Sequence, residues 1–302
     1  MKYSIGIPAF KARFLKECID SILSQTFNDF ELIIINDCSP DEILKIVNEY
    51  NDSRIKYYEN ESNTGAENVI DNWNKCLGLA KGDFFILMGD DDKLEPNYLE
   101  EFNNLINNYP ELDVFHCRLK IINENSEEIE VSNCCPDFET TDSYILNCLE
   151  GRSEQFISDF VYRKSTLLNN GGFYKLPLAW CSDYVSAFIA SGDKGIAYTS
   201  SPIFIYRKNQ FNITTTSSLE LKRLAILGME NWLTKYIENH KNPSQVLKTT
   251  IDINIKNNRV AFIQQMGGRS KLKGLYQCFV NRELYKVSFN DLHHLDVLLG
   301  SS

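Results

Sequence analysis

Several features are scarce in this 302-residue chain, and each scarcity removes a class of function. No apolar run approaches the ~20 residues that a membrane-spanning helix needs. The opening stretch Met1-Lys2-Tyr3-Ser4-Ile5-Gly6-Ile7-Pro8 is too short and too soon broken for a secretory leader, so a cytoplasmic chain is expected. There are only four histidines, and the nine cysteines are scattered with no CxxC pair. Ligands clustered at zinc spacing are missing, so no zinc site is expected and the thiols should be reduced and mostly buried. Neither GxGxxG nor GxxxxGK[ST] occurs, which argues against the dinucleotide-binding dehydrogenases and the P-loop enzymes. There is no internal repeat and no low-complexity segment.

Positive charge is also short. Lys and Arg number 31 against 41 Asp and Glu, a net charge of −10, which disfavours a bulk nucleic-acid binder. The shortage is confined to one part of the chain. Residues 216–302 carry twelve Lys and Arg against seven Asp and Glu, whereas 1–215 carry nineteen against thirty-four. The basic tail is either a solvated helix face or a surface for an anionic partner, such as the inner face of a membrane bearing lipid-linked acceptors. A polar junction, Thr214-Thr215-Thr216-Ser217-Ser218, predicts a boundary near 215, with one domain over 1–215 and a helical extension over 216–302.

Hydrophobic periodicity gives the first half a regular order. Strands are predicted at Tyr3 to Pro8, Glu31 to Asn36, Arg54 to Tyr58, Asp83 to Met88 and Asp113 to Asn123, the last with a hairpin-like extension at Asn125-Ser126. Between them, helices are predicted over about 11–27, after Ser39-Pro40-Asp41-Glu42, over about 66–80 and from Pro96. The Ser39 segment reads as an N-cap, a proline in the first turn and a capping-box glutamate. Further on, strands are expected at 156–163 and 203–207, a short helix at 182–191, and helices from 218 and over about 243–266, ended by Gly267-Gly268. Alternating strands and helices imply a mostly parallel, doubly wound α/β sheet. Ligands bind such sheets beyond the carboxyl ends of the strands. Pro8-Ala9-Phe10, Asp37 and Asp90-Asp91-Asp92 all stand there.

Three adjacent carboxylates behind a buried strand repel one another unless something neutralises them. Mg²⁺ or Mn²⁺, which prefers oxygen ligands and shares them with substrate phosphates, is one answer. A solvated acidic loop at the start of the next helix is the other. Asp37 could equally cap the helix that follows it.

Four segments, in order and spacing, resemble the family-2 glycosyltransferases, inverting enzymes of the GT-A fold. They are Ser4-Ile5-Gly6-Ile7-Pro8-Ala9-Phe10 with the helix after it; Glu31-Leu32-Ile33-Ile34-Ile35-Asn36-Asp37-Cys38-Ser39; Asn63-Thr64-Gly65 with Asn72-Trp73-Asn74 and Ala80-Lys81-Gly82-Asp83; and Leu87-Met88-Gly89-Asp90-Asp91-Asp92 with Leu94 and Pro96. The resemblance implies a nucleotide-diphospho-sugar donor, typically a UDP- or dTDP-sugar, a saccharide or lipid-linked acceptor, and Mn²⁺ or Mg²⁺. It implies that Pro8, Ala9 and Phe10 border the base, Asp37 hydrogen-bonds it, and Asp90 meets the ribose. Asp91 would bind the metal, with Asp92 a second candidate, and Asn63, Gly65 and Asn74 would shape the nucleotide pocket, Asn74 being equally readable as a structural hydrogen-bonder. Gly89 departs from the family, where an acid is common. Gly171-Gly172-Phe173 followed by Trp180-Cys181-Ser182-Asp183 matches the segment that carries the catalytic base, at Asp183. A carboxylate there can take the acceptor's proton, or it can simply cap a helix. Trp180 would line the acceptor or belong to the core. Tyr206-Arg207-Lys208-Asn209 is similar to a later family segment that ends in His. Arg207 there is a substrate contact or a buried ion-pairing residue.

Two other readings use the same residues. A nucleotidyltransferase also uses aspartates and metal on an α/β sheet, but Pro8-Ala9-Phe10-Lys11-Ala12-Arg13 lacks the glycine-rich loop it needs. A nucleotide-sugar-binding module without turnover is the other, given the glycine at 89 and the asparagine at 209.

Overall fold

A computed structural model of the chain describes residues 1–209 and 218–267. It divides into two compact units, Met1–Thr216 and Ser217–Ser302.

The first unit begins with four parallel strands, β1 (Tyr3–Ala9), β2 (Phe30–Asn36), β3 (Ile55–Glu59) and β4 (Phe84–Leu87), lying side by side in the order β3-β2-β1-β4. The near-continuous apolar sequences of β2 and β4 follow from burial on both faces, every residue of both being buried, whereas β3 at the sheet edge is half-buried to exposed. The crossovers are α1 (Leu15–Leu23), α2 (Ile43–Val47) and α3 (Val69–Leu79), with α4 (Tyr98–Asn108) after β4. Helices α1 and α4 seal one face through Leu15, Ile19, Ile22, Leu99, Phe102 and Ile106. On the other face α3 comes so close that a Cβ on Gly6 of β1 would lie 2.7 Å from Cys76 Cβ.

The remaining strands are β5 (Lys93–Leu94), β6 (Val114–Ile122), β7 (Glu128–Val131), β8 (Phe138–Glu139), β9 (Phe160–Arg163) and β10 (Ile196–Arg207). They extend the sheet as β4-β9-β6-β10-β5. Strand β9 runs antiparallel to both its neighbours, β6 and β10 are parallel, and β5 is antiparallel to β10. Helices α5 (Thr141–Leu149), α6 (Lys164–Asn169) and α7 (Ser182–Ser191) complete the unit. The result is a mixed, mostly parallel α/β sheet with helices, the GT-A arrangement expected from the sequence.

Some elements differ from expectation. The helix predicted over 11–27 is only Leu15–Leu23, because the residues before it are bound to the ends of β2 and β4. Ser39 does not cap α2, which starts at Ile43 without any side-chain cap. Instead Ser39 Oγ donates to Phe10 O and accepts from Asp41 N–H at 3.0 Å, and Asp41 Oδ2 accepts from Ala12 N–H at 2.8 Å. The capping chemistry thus ties two loops together. The strand expected at 156–163 is a 3-10 turn, Ile157–Asp159, followed by β9. Of the eight described cysteines, Cys18, Cys76 and Cys117 are buried, while Cys38 and Cys134 are exposed.

In the second unit α8 (Leu219–Asn239) packs along α9 (Gln245–Gly267). Arg223 and Glu230 of α8 form a buried ion pair at 3.1 Å. The junction expected at 214–218 falls almost wholly outside the described residues, as do the basic residues Arg269, Lys271, Lys273, Arg282 and Lys286. No described helix is long and apolar enough to cross a membrane.

Candidate active site

The carboxyl ends of β1, β2 and β4 come together around three loops. After β1, the chain turns at Phe10 and Lys11, and both backbone N–H groups donate to Asp90 Oδ2, at 2.8 and 2.7 Å. Asp90 is buried, and its pKa is pushed up to about 6 by that burial and by the neighbouring Asp91 charge, against the pull of Lys11 and the two N–H groups. The Phe10 ring itself is 41% exposed at the rim.

Asp37, after β2, organises the second loop. It follows β1 closely, its N–H donating to Ala9 O at 2.9 Å, and Cys38 then turns the chain with a φ of 49°. Its carboxylate accepts from Asn60 Nδ2 at 2.7 Å, from Thr64 Oγ1 at 2.6 Å and from Thr64 N–H. Asn63 Nδ2 donates to Asp37 O at 2.8 Å, and Asn63 Oδ1 accepts from Gly65 N–H at 2.7 Å. Asp37, Asn63 and Gly65, brought forward separately by the sequence, are thus one hydrogen-bonded assembly. Asn60 and Thr64 belong to it too; Thr64 lies inside the Asn63-Thr64-Gly65 segment, while nothing in the sequence pattern distinguishes Asn60 from a loop residue.

The acidic triplet after β4 splits by partner. Asp92 is buried, its Oδ1 accepts from Arg207 N–H at 2.8 Å, and burial raises its pKa, followed by the Asp91 charge. Asp91 is half-buried, and the described hydrogen bonds to its carboxylate come from a side chain rather than from backbone N–H groups: Asn209 Nδ2 donates to Oδ2 at 2.7 Å. Lys11 Nζ lies 3.5 Å from the same oxygen. Gly89 fits because the space beside it is taken: a Cβ there would sit 2.7 Å from Asp92 Oδ2 and 3.3 Å from Asp91 Oδ1. Gly89 N–H is held by Ser158 Oγ at 3.0 Å.

Arg207, at the end of β10, is fully buried. Its Nε donates to Asp91 O at 2.9 Å, its Nη1 to Ser126 Oγ at 2.9 Å and its Nη2 to Glu17 Oε2 at 2.8 Å, and the guanidinium stacks 4.1 Å from the Phe14 ring centre. Of its two sequence readings, substrate contact or buried ion pairing, the guanidinium's protein partners and complete burial match the second. Asn209 stands where the family segment commonly has His, and its amide keeps a contact with Asp91.

A fourth loop carries Asp183. It begins at Gly171-Gly172-Phe173, where Asn74 Oδ1 accepts from Phe173 N–H at 2.8 Å. Asn74 therefore fixes this turn. The 3-10 turn Pro177–Ala179 packs against the turn Ala66–Asn68 that follows the Asp37 assembly. Leu178, Ala179 and Cys181 all take left-handed φ values, 60°, 55° and 64°. Such backbone is costly for residues with a Cβ and collects at functional sites. Trp180 lies between them, half-buried. Asp183 follows in the first turn of α7, where its Oδ1 accepts from Tyr184 N–H at 2.9 Å, and burial raises its pKa to about 7. A carboxyl poised there can accept a proton near neutral pH.

Among the described residues no group of three or more His, Cys, Asp or Glu is placed to hold a metal ion. The donor set fits a different arrangement, in which one carboxylate, Asp91, shares a hard cation with substrate phosphates. The lysine beside Asp91 shows that a positive charge is already accommodated there.

An open α/β sheet of this kind is shared with a known group of enzymes. The profile of the family described as Glycosyl transferase family 2 matches residues 4–169, and this chain belongs to that family. A glycosyltransferase of Rickettsia typhi is 30% identical over 128 residues, 42% of this chain and 39% of its own length. The chain thus spans about two-fifths of the curated relatives it matches first. The crystal structure of Staphylococcus aureus TarS 1–349 in complex with UDP-GlcNAc superposes with a TM-score of 0.62 at 20% identity, covering 87% of this chain and 81% of that one. The mannosyltransferase PcManGT of Pyrobaculum calidifontis, in complex with GDP-Man and Mn²⁺, superposes with a TM-score of 0.55 at 14% identity, covering 97% and 83%. These likenesses establish the GT-A fold.

Proposed function

We propose that the chain is a metal-dependent, inverting glycosyltransferase that moves a sugar from a nucleotide-diphospho-sugar to an acceptor hydroxyl. The observation that carries this reading is the placing of Asp90, Asp91 and the Asp37 assembly at adjoining strand ends, with the Asp183 loop packed against the turn that continues the assembly. The exposed Phe10 ring supplies a face for the nucleobase, beside Pro8 and Ala9, and a uridine or thymidine donor is the expected class. Asp37 and Asn63 fix the loop around the base, Gly65 carries it onward, and Asp90 presents a carboxyl to the ribose.

A bound Mg²⁺ or Mn²⁺ would neutralise the leaving diphosphate, with Asp91 as its protein ligand. Asp92 and Arg207 then hold Asp91 in place from behind. Asp183 takes the proton of the acceptor hydroxyl as that oxygen bonds to the anomeric carbon. The bond from that carbon to the diphosphate oxygen breaks on the opposite side, so the configuration inverts and a nucleoside diphosphate departs. Trp180, beside Asp183, offers a ring for a saccharide acceptor. Surface polysaccharide or glycoconjugate synthesis is the expected setting, since a relative in fold is named poly(ribitol-phosphate) β-N-acetylglucosaminyltransferase. The excess of basic residues after 215 supports a peripheral contact with the inner membrane face, where lipid-linked acceptors are found.

The test is nucleoside-diphosphate release from a panel of UDP-, dTDP- and GDP-sugars with Mn²⁺ or Mg²⁺. Asp91→Asn should lose metal-dependent release, and Asp183→Asn should lose transfer by about 100-fold or more with donor affinity kept. Full release with a chelator present removes the metal from the scheme. Undiminished transfer by Asp183→Asn places the base elsewhere.

A further inference from the structure

Arg13, Lys93 and Arg207 flank the acidic triplet, and each is matched to a glutamate. Arg13 pairs with Glu124 at 2.8 Å, Lys93 with Glu17 at 3.4 Å, and Arg207 with Glu17 at 2.8 Å. Lys11 is matched differently. Its Nζ lies 3.5 Å from Asp91 Oδ2, and among the described residues this is the one ion pair that reaches a carboxylate of the triplet. The two ends of Lys11 are held unequally. Its backbone N–H donates to Asp90 Oδ2 at 2.7 Å, which pins the residue beside the triplet. Its ammonium stands beyond the length of a good hydrogen bond, on a side chain that is 35% exposed. Asp91 is the more enclosed partner, and Asn209 Nδ2 holds the same oxygen at 2.7 Å.

Lys11 therefore occupies the carboxylate that the proposed reaction gives to the metal. Like charges so close repel strongly, so Lys11 has to leave Asp91 when a divalent ion takes that oxygen. The neighbouring glutamates are already matched to other cations and offer it no ready replacement. A donor diphosphate supplies the missing anion. Lysine suits such a move, being a compact point charge on a flexible stem. A site with one carboxylate for a hard cation also gains most of its remaining ligands from substrate phosphates.

We infer that Lys11 is a diphosphate-contact residue that changes partner: it neutralises Asp91 while the site is without donor, and turns to the diphosphate as Asp91 is given over to the metal. The inference rests on Asp91 being the metal ligand. It requires that losing the ammonium has opposite effects on the two ligands. Metal alone should bind better, because its competitor is gone. The diphosphate should bind worse, because a contact is gone. A residue that merely supports the loop would weaken both.

The readout is binding, not turnover. Mn²⁺ affinity of the full chain without nucleotide is measured from the electron paramagnetic resonance signal of the free ion. UDP affinity at saturating Mn²⁺ is measured by calorimetry, with dTDP and GDP run alongside. Lys11→Gln should bind Mn²⁺ about 5-fold more tightly than the parent and UDP about 5-fold more weakly, the low end of typical coupling between sites. Lys11→Ala should give the same two signs. Lys11→Arg, which keeps the charge, should leave Mn²⁺ affinity within about twofold of the parent. Unchanged Mn²⁺ affinity in Lys11→Gln overturns the inference, as does a change of the same sign for both ligands or tighter Mn²⁺ binding by Lys11→Arg. UDP binding by the parent that Mn²⁺ does not improve also overturns it, since Lys11 would then replace the ion rather than yield to it. If Asp91→Asn binds Mn²⁺ and UDP as the parent does, the metal reading itself fails, and this inference falls with it.

Discussion

A carboxyl group shielded from water resists ionising, and half-buried Asp183 and buried Asp90 both show it, pushed up to about 7 and about 6. The folded state holds these protons more tightly than an unfolded chain does. The two groups therefore oppose folding in full once pH exceeds their folded values, and the opposition fades as pH falls from about 7 to about 4, the ordinary range of an exposed aspartate. Transfer should run the other way, because Asp183 must be ionised to accept a proton. The free protein is thus expected to gain stability from these groups over the same interval in which the transfer rate falls. In Asp183→Asn the first effect shrinks and the second has nothing to act on. Thermal unfolding should place this variant about 2–4 °C above the parent at pH 8, the shift that about 1 kcal/mol gives in a unit of this size, with the gap narrowing below pH 7 and closing near pH 4. A variant less stable than the parent at pH 8 would show that Asp183 ionises without strain.

At the scale of elements, the turn before α7 is tied to α3 by the side-chain amide of Asn74. Gly172 has a φ of 88°, and a Cβ on it would come within 2.3 Å of Asn74 Oδ1. Gly172→Ala therefore meets a left-handed backbone penalty of about 1–2 kcal/mol and breaks the hydrogen bond from Phe173 N–H to Asn74. The expected result is a loss of stability of about 2–4 kcal/mol by urea unfolding, together with a transfer rate that falls more than donor affinity does. Equal stability in Gly172→Ala would show that the turn yields at no cost. This turn also marks where the sequence stops being readable. Asp37, Asp90 and Asp91 could be placed because strands β1, β2 and β4 carry plain apolar runs and the ends of parallel strands converge. The tie from Asn74 to a turn ninety-nine residues away leaves no local pattern, nor does the pairing of His116 with Asp159 across β6 and the turn before β9. Ser39 shows the reverse: its sequence has every mark of a helix cap, yet Phe10 O takes its hydroxyl and Ala12 N–H takes the nearby Asp41 carboxylate.

For the molecule as a whole, the charge asymmetry read from the sequence and the division of the folded chain concern the same region. The large core that supports the site, from Tyr3 on β1 to Phe204 on β10, is drawn entirely from the first unit. Parallel strands β1, β2 and β4 are wholly or nearly wholly buried by helices of that unit, so its sheet does not depend on the second unit for its hydrogen bonds. In the second unit Ala225, Leu233, Leu247 and Ile251 are buried, and Arg223 pairs with Glu230. A fragment of residues 1–216, well within the usual size of a single domain, is then expected to fold by itself and to keep donor binding. It should show one cooperative thermal transition by circular dichroism, and a nucleotide-sugar that stabilises the full chain should stabilise the fragment by a similar amount, since binding to the folded state alone raises its stability. Loss of membrane association without loss of donor binding would assign that association to the basic region. A fragment that melts without cooperativity, or that folds but no longer gains stability from the donor, would show that the second unit completes the nucleotide site.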